Sequence, residues 1–261
     1  MVATSFEYSR QAATYDSTRD ASPSVVGPLS EALGPPANEA RLLDVGGGTG
    51  NYAVAMAGLG WHPVVVDRNR AMLEAAARKR LPTVCGDAAV LPVPTSSVDA
   101  VMLVSMLHHV PDWQAALAEA RRVVRPGGRV ALMGFVREHL WVHSVEDYFP
   151  ATRDHFAAGH QALAEVRAAL PGARELRIFY EDQVDGSLAA LARRPERMLD
   201  AGMRRQTSFV EWAQLNEPDE LAAGLDAPAR DLAAGERPQD RHPDARRALG
   251  DALVFAWPAP H

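Results

Sequence analysis

Residues 42–52, Leu-Leu-Asp-Val-Gly-Gly-Gly-Thr-Gly-Asn-Tyr, leave this chain few ways to fold. The apolar run from Arg41 to Val45 has the length and character of a buried strand, and helix-forming sequence resumes over residues 52–59. Between them the glycines let the backbone turn sharply and leave bare main chain for a ligand to lie against. The details narrow the ligand. A dinucleotide fingerprint needs glycine at the sixth position of G-x-G-x-x-G, and counted from Gly46 that position is Asn51. The glycines fall instead at Gly46, Gly48 and Gly50, with Asp44 two residues before the first. A carboxylate at the strand end suits a ligand bearing an ammonium group better than one presenting a pyrophosphate.

The segments that follow repeat the pattern of strand and acid. His62-Pro-Val-Val-Val-Asp67 reads as a second strand, its carboxylate 23 residues after Asp44, where it can accept both hydroxyl protons of a ribose. Residues 84–88 read as a short third strand ending in Gly86-Asp87-Ala88, and residues 98–105 as a fourth, followed by Met-Leu-His108-His109-Val-Pro-Asp. Trp113, Ala116, Leu117, Ala120, Val123 and Val124 then recur near a period of 3.6, predicting a helix stopped by Arg125-Pro-Gly-Gly128, and residues 129–135 read as a fifth strand. Five such elements in this order resemble the class I S-adenosylmethionine-dependent methyltransferases, most of all the branch of the menaquinone and ubiquinone methyltransferases. The resemblance runs over residues 41–135 and fades after Phe135.

It implies an α/β fold: a Rossmann-like, seven-stranded, mostly parallel methyltransferase sheet with an antiparallel final hairpin, helices on both faces and a mainly helical cap. The implied cofactor is S-adenosyl-L-methionine, held by Asp44, Gly46, Gly47, Gly48, Asp67, Arg68, Asp87, Ala88 and Ser105, with Tyr15 folding over it. Each acid also has a plainer reading: Asp67 can cap the helix starting near Asn69, and Asp87 can be a turn residue. His108 and His109 follow a strand at the carboxyl edge of an open sheet, where ligands bind, and imidazole suits a proton acceptor; both are candidates for the chemistry, one of them being structural. Gly134 stands where some relatives place a carboxylate, which removes one partner for a paired His–carboxylate mechanism.

The chain divides into a lid segment at 1–40, a cofactor-binding core at 41–135, a cap and substrate region at 136–250 that includes a sixth strand near 174–182, and a last core strand at 251–261. Residues 136–172 concentrate Trp141, His143, Tyr148, Phe149, His155, Phe156 and His160 in a chain with only 7% Phe, Trp and Tyr; Trp141, Tyr148 and His155 are taken as substrate contacts, with cap core as the competing role. Residues 228–244 are expected to be a mobile surface segment. With a net charge of −6, a nucleic-acid partner is not expected, and no apolar stretch is long enough to span a membrane. Cys85 is the one cysteine, so no internal disulfide can form; a reducing cytoplasm is the expected setting, and the thiol is expected to fill space in the third strand. The histidines lack metal-ligand spacing, so no metal is expected. Lys79 beside 26 arginines suggests a high-GC bacterial genome.

The reading is thus methyl transfer to oxygen or nitrogen of a small organic acceptor, such as a bacterial specialised metabolite. Competing readings are a methyltransferase acting on a carrier- or peptide-bound substrate, a nicotinamide-dependent dehydrogenase, and a non-catalytic ligand-binding module with this fold. Oligomeric state is not encoded in any feature of the sequence.

Overall fold

The computed structural model describes residue 16 and residues 21–181, 187–204 and 207–258. Seven strands form one sheet: β1 (Arg41–Val45), β2 (His62–Asp67), β3 (Thr83–Cys85), β4 (Val98–Val104), β5 (Val124–Gly134), β6 (Arg174–Ile178) and β7 (Ala252–Pro258). Their order is β3-β2-β1-β4-β5-β7-β6. The first five run parallel, and β7 pairs antiparallel with β5 on one side and β6 on the other, as the expected fold requires.

The apolar runs are continuous because both faces of this sheet are covered. Consecutive residues divide between two cores: Leu43, Val66, Leu103, Leu132 and Phe255 pack on one face, and Leu42, Val65, Met102, Ala131 and Val254 on the other. The crossover helices α2 (Asn51–Gly58), α3 (Arg70–Arg78) and α4 (Trp113–Val123) carry the matching apolar stripes.

Several boundaries differ from expectation. Helix α1 (Pro23–Leu33) lies inside the segment read as a lid, yet Val25, Leu29, Ala32 and Leu33 are buried in the sheet core. Residues 1–15 and 17–20 fall outside the described residues, Tyr15 among them; Asp16 is described, where its carboxylate accepts from the Thr49 hydroxyl at 2.5 Å and from Lys79 Nζ at 2.8 Å. Strand β3 stops at Cys85, because Asp87 turns back to a bridge with Val90. Cys85 is exposed, not packed, since β3 is the edge strand. Residues 228–244 hold the end of helix α10 (Pro218–Ala233) and the start of α11 (Pro243–Leu249). Asp231 there accepts from Tyr148 at 2.7 Å and pairs with Arg241 at 2.5 Å, so this stretch, read as a mobile surface segment, carries helical structure and local ion pairs.

The cap has its own apolar cluster of Val145, Phe149, Leu191, Met198, Phe209 and Val210. It is assembled from short helical turns at Arg137–Trp141 and Ser144–Tyr148 with α5 (Pro150–Gly159), α7 (Leu188–Arg193), α9 (Ser208–Asn216) and α10. Helix α6 (Leu163–Ala169), through Val166, packs on the sheet instead. Helix α8 (Ala201–Arg204) is a single turn.

Candidate functional site

A cavity of about 1110 Å³ opens along the carboxyl ends of β1, β2 and β4 and continues beneath the cap. Its first half is built by the glycine turn. Gly46, Gly48 and Gly50 take φ of +68°, +56° and +77°, which only glycine adopts without strain, and Gly50 starts α2. Gly47 is needed for a different reason: a Cβ there would lie 2.3 Å from Oδ2 of Asp44.

Asp44 is 1% exposed, and neither carboxylate oxygen has a hydrogen-bond partner among the described residues. Burial and the nearby charge of Asp67 push its pKa up to about 8. The contrast is Asp251, equally buried, which accepts two 2.8 Å bonds from Arg246 and a third from the Tyr180 N–H. One buried aspartate is satisfied within the fold; the other faces the cavity and awaits a donor. Asp67 accepts from the Gly48 N–H at 3.0 Å and from the Asn69 N–H at 2.8 Å, tying the glycine turn to the start of α3. Asn69 itself caps that helix through the Ala71 and Met72 N–H groups. The capping role read for Asp67 thus falls to Asn69, while Asp67 braces the glycine turn, and its two carboxylate oxygens have lone pairs left for a ligand. Asp87 accepts from the Ala89 N–H at 2.8 Å. Ala88, Arg68 and Ser105, the last at φ +50°, complete this half of the wall.

The second half is apolar rings and imidazoles. Phe135, Leu140, Phe156, Leu188 and Phe209 supply the rings and aliphatic groups. His108 and His109 stand on a turn just after β4, their ring centroids 3.9 Å apart. Burial and the neighbouring imidazoles hold His108 well below the usual histidine range, and His109 is brought to about 4, so both are neutral near pH 7. His160, from the end of α5, stacks on His108 at 4.7 Å with planes 12° apart.

Deeper still lies a His–carboxylate pair. His143 Nδ1 is 3.3 Å from Glu146 Oε1, and its Nε2 donates to the Asp251 carbonyl at 3.0 Å. Glu146 is fully buried with Oε2 unpartnered among the described residues. Burial raises the Glu146 pKa; it opposes charge on His143 as well, but Glu146 and Asp251 together outweigh it and raise that histidine. His139 adjoins them, accepting the Val136 N–H at 2.9 Å, and is kept at about 3 mainly by burial.

Every core residue taken as a cofactor contact lies on this cavity, and so do His108 and His109. The three substrate contacts taken from the cap do not. Trp141 is 43% exposed with Arg153 over its ring, the Tyr148 hydroxyl is spent on Asp231, and His155 is stacked on Trp212 at 4.0 Å. These side chains stabilise the cap, while His139, His143, Glu146, Phe156, His160 and Phe209 face the cavity in their place. The spacing His139-x-x-x-His143-x-x-Glu146 was the available signal. Among the described residues no group of three or more His, Cys, Asp or Glu could hold a metal, and no helix is long and apolar enough to cross a membrane.

Comparison with known proteins agrees with this geometry. Residues 43–132 match the family described as methyltransferase domain. The chain is 40% identical over 121 residues to the ubiquinone/menaquinone biosynthesis C-methyltransferase of Methylobacterium nodulans, covering 42% of this chain and 47% of that protein. It is 40% identical over 95 residues to the demethylmenaquinone methyltransferase of Mycolicibacterium gilvum, covering 36% and 42%. The chain therefore spans just under half the length of these curated relatives. A putative methyltransferase from an antibiotic biosynthesis pathway of Anabaena variabilis superposes with a TM-score of 0.71 at 25% identity, covering 88% of this chain and 95% of that one.

Sheet order, glycine turn and the domain matched over residues 43–132 are those of the class I S-adenosylmethionine-dependent methyltransferases. Within that class its core is similar in sequence to the menaquinone and ubiquinone methyltransferases. The cofactor of this class is S-adenosylmethionine, and the residues present fit it: the orphaned Asp44 carboxylate matches an ammonium group, and the bare backbone of Gly46–Gly48 leaves room beside it.

Proposed function

We propose that this chain transfers a methyl group from S-adenosylmethionine to oxygen or nitrogen of a small organic acceptor, a bacterial specialised metabolite being the class that suits it best. The observation that carries the reading is the continuity of one cavity, polar and glycine-lined at the β1–β2 end and apolar beneath the cap. In this reading Asp44 holds the cofactor's ammonium group, Asp67 its ribose hydroxyls, and Asp87 and Ala88 flank the adenine, with Arg68 and Ser105 on the walls. Tyr15 is assigned to the cover over the cofactor. When bound, the cofactor supplies a methyl carbon already made electrophilic by its sulfonium. The chain's task is then to align an acceptor lone pair and exclude water, which Phe135, Phe156 and Phe209 serve as flat walls.

The specialised-metabolite reading is supported by the reach of the similarities. The quinone methyltransferases match only within less than half of their length, whereas the Anabaena protein, described as belonging to an antibiotic pathway, is covered over 95% of its length. A second reading, methylation at carbon, is favoured by the similarity to the Methylobacterium protein, a C-methyltransferase.

Calorimetry with S-adenosylmethionine and with a nicotinamide dinucleotide tests the cofactor. Incubation of an acceptor panel with methyl-labelled cofactor, followed by NMR of the product, separates methyl on oxygen, nitrogen or carbon. Binding of the dinucleotide alone would overturn the proposal.

A further inference from the structure

The chemistry of the cap side of the cavity turns on His160. Its Nδ1 lies 2.8 Å from the Phe156 carbonyl, an acceptor only, so Nδ1 must carry the proton and Nε2 must carry the lone pair. Nε2 has no partner among the described residues, yet it is not one of the sealed, unpartnered polar atoms of this protein. The ring stands on the cavity wall, flat against His108. Its position is fixed from below as well: Arg137 Nε donates to the Ala157 and His160 carbonyls at 3.0 and 3.2 Å, locking the end of α5. The groups facing the imidazole are thus His108, His109 beyond it, and the Arg137 guanidinium. Among the described residues no carboxylate partners it. A base of fixed tautomer, with a free lone pair and apolar rings around it, is arranged to receive a proton from an uncharged donor.

We infer that His160 takes up the hydroxyl proton of an uncharged, ring-bearing acceptor as that hydroxyl is methylated, with His108 as the platform that holds the imidazole flat. This rests on the methyl-transfer reading above. An oxygen lone pair of the acceptor forms the new O–C bond, the electron pair of the broken S–C bond stays on sulfur, and the O–H proton passes to Nε2. The hydroxyl oxygen ends as a neutral ether and His160 as an imidazolium. Burial and Arg137 oppose a charge on this ring, but the cavity gains none overall: it holds one positive charge before the transfer, on the sulfonium, and one after, on the imidazole. The same burial returns the proton to water once the product leaves, so the base is reset near pH 7.

The test uses the full chain with 15N in its histidine rings, saturated with S-adenosylhomocysteine and titrated with 1-naphthol as the hydroxyl probe. His160→Asn keeps an N–H for the Phe156 carbonyl but has no imidazole lone pair, and it assigns the resonance. His160 should appear as the neutral Nδ1–H tautomer, and naphthol should shift its Nε2 upfield as that atom begins to accept a hydrogen bond. With methyl-labelled S-adenosylmethionine and 1-naphthol, His160→Asn should lower product formation about 100-fold or more without changing cofactor affinity. An Nε2–H tautomer, a naphthol response confined to His108, no response at either ring, or a fall in product of less than threefold would overturn the inference. Failure of S-adenosylhomocysteine to bind at all, read by calorimetry beforehand, sinks the underlying methyl-transfer reading instead.

Discussion

Replacing Asp44 with asparagine should make the ligand-free protein more stable while weakening its cofactor site. The wild-type carboxyl has a folded pKa of about 8 against 3.8 for the free group, because it is buried beside Asp67 with no donor. A pKa raised by folding contributes stability that is intact below the unfolded value and is lost as pH rises through the folded one. The unfolded chain ionises this carboxyl from pH 3.8 upward, whereas the folded chain resists until about pH 8. At pH 7 roughly three pH units separate the two, each worth about 1.4 kcal/mol, so the burden on the fold is about 4 kcal/mol. Asparagine has the same shape and cannot ionise. Its buried amide N–H groups lack a partner, which returns about 1–3 kcal/mol of the gain. Urea unfolding without ligand should therefore show Asp44→Asn more stable by about 1–3 kcal/mol at pH 7. The advantage should fall to zero between about pH 4.5 and 6, reverse below that, and stop growing above about pH 8. The ligand-bound state reverses the sign: an ammonium group meeting Asp44 ionises it, so S-adenosylhomocysteine binding at pH 7 should release close to one proton, measurable by calorimetry in buffers of different ionisation enthalpy. The variant should release none and bind more weakly. A stability difference that does not change with pH, or wild-type binding without proton release, would refute the reasoning.

Asp67→Ala removes the acceptor for the Gly48 and Asn69 N–H groups together with the proposed ribose contact, and should weaken S-adenosylmethionine binding by about 1.5–3 kcal/mol; equal calorimetric affinities would remove the assignment. Gly47→Ala sets a methyl 2.3 Å from the Asp44 carboxylate, so the turn or the carboxylate must move; a tenfold or greater loss of cofactor affinity is expected, and retained affinity would count against a fixed Asp44. Tyr148→Phe breaks the bond to Asp231 in the half-buried cap and should lower stability by about 1 kcal/mol with turnover unchanged; lost turnover at unchanged Tm would put Tyr148 back at the acceptor site.

The core was legible because its constraints are local. A parallel strand covered on both faces needs an unbroken apolar run, so Arg41–Val45, His62–Asp67 and Val98–Val104 are visible in the sequence. The glycine turn is visible because left-handed backbone and the approach of Asp44 to Gly47 admit little else. Local signals misled where tertiary contacts decide. Pro228 suggests a loop, yet it lies buried inside α10, whose flank is tied to Tyr148 and Arg241 through Asp231. Cys85 looks like filler until its strand proves to be the sheet edge. Trp141, Tyr148 and His155 show the same limit: an aromatic-rich segment says that something is being packed, but not which face of each turn meets the cavity.

The two halves of the cavity differ in what the ligand reads. At the glycine-turn end, the wall is made of backbone shape and of acids at strand ends, and a shape that only glycine can adopt leaves a mark in the sequence. Beneath the cap, the wall is made of side chains from the turn after β4, the segment 135–160 and the helices after residue 187, brought together by folding and free to vary with the acceptor. The missing carboxylate at Gly134 illustrates this. Position 134 itself carries no acid, so a His–carboxylate pair looked absent. A short helical turn later in the chain sets His143 beside Glu146, and Asp251, the residue before β7, supplies the carbonyl that fixes the ring. The spacing of His143 and Glu146 hints at the pair, but the carbonyl that orients it lies 108 residues away in sequence and is placed only by the fold. The same holds for His160, which is one of several histidines in the sequence and becomes a defined base only when the Phe156 carbonyl fixes its tautomer and His108 lies flat against it.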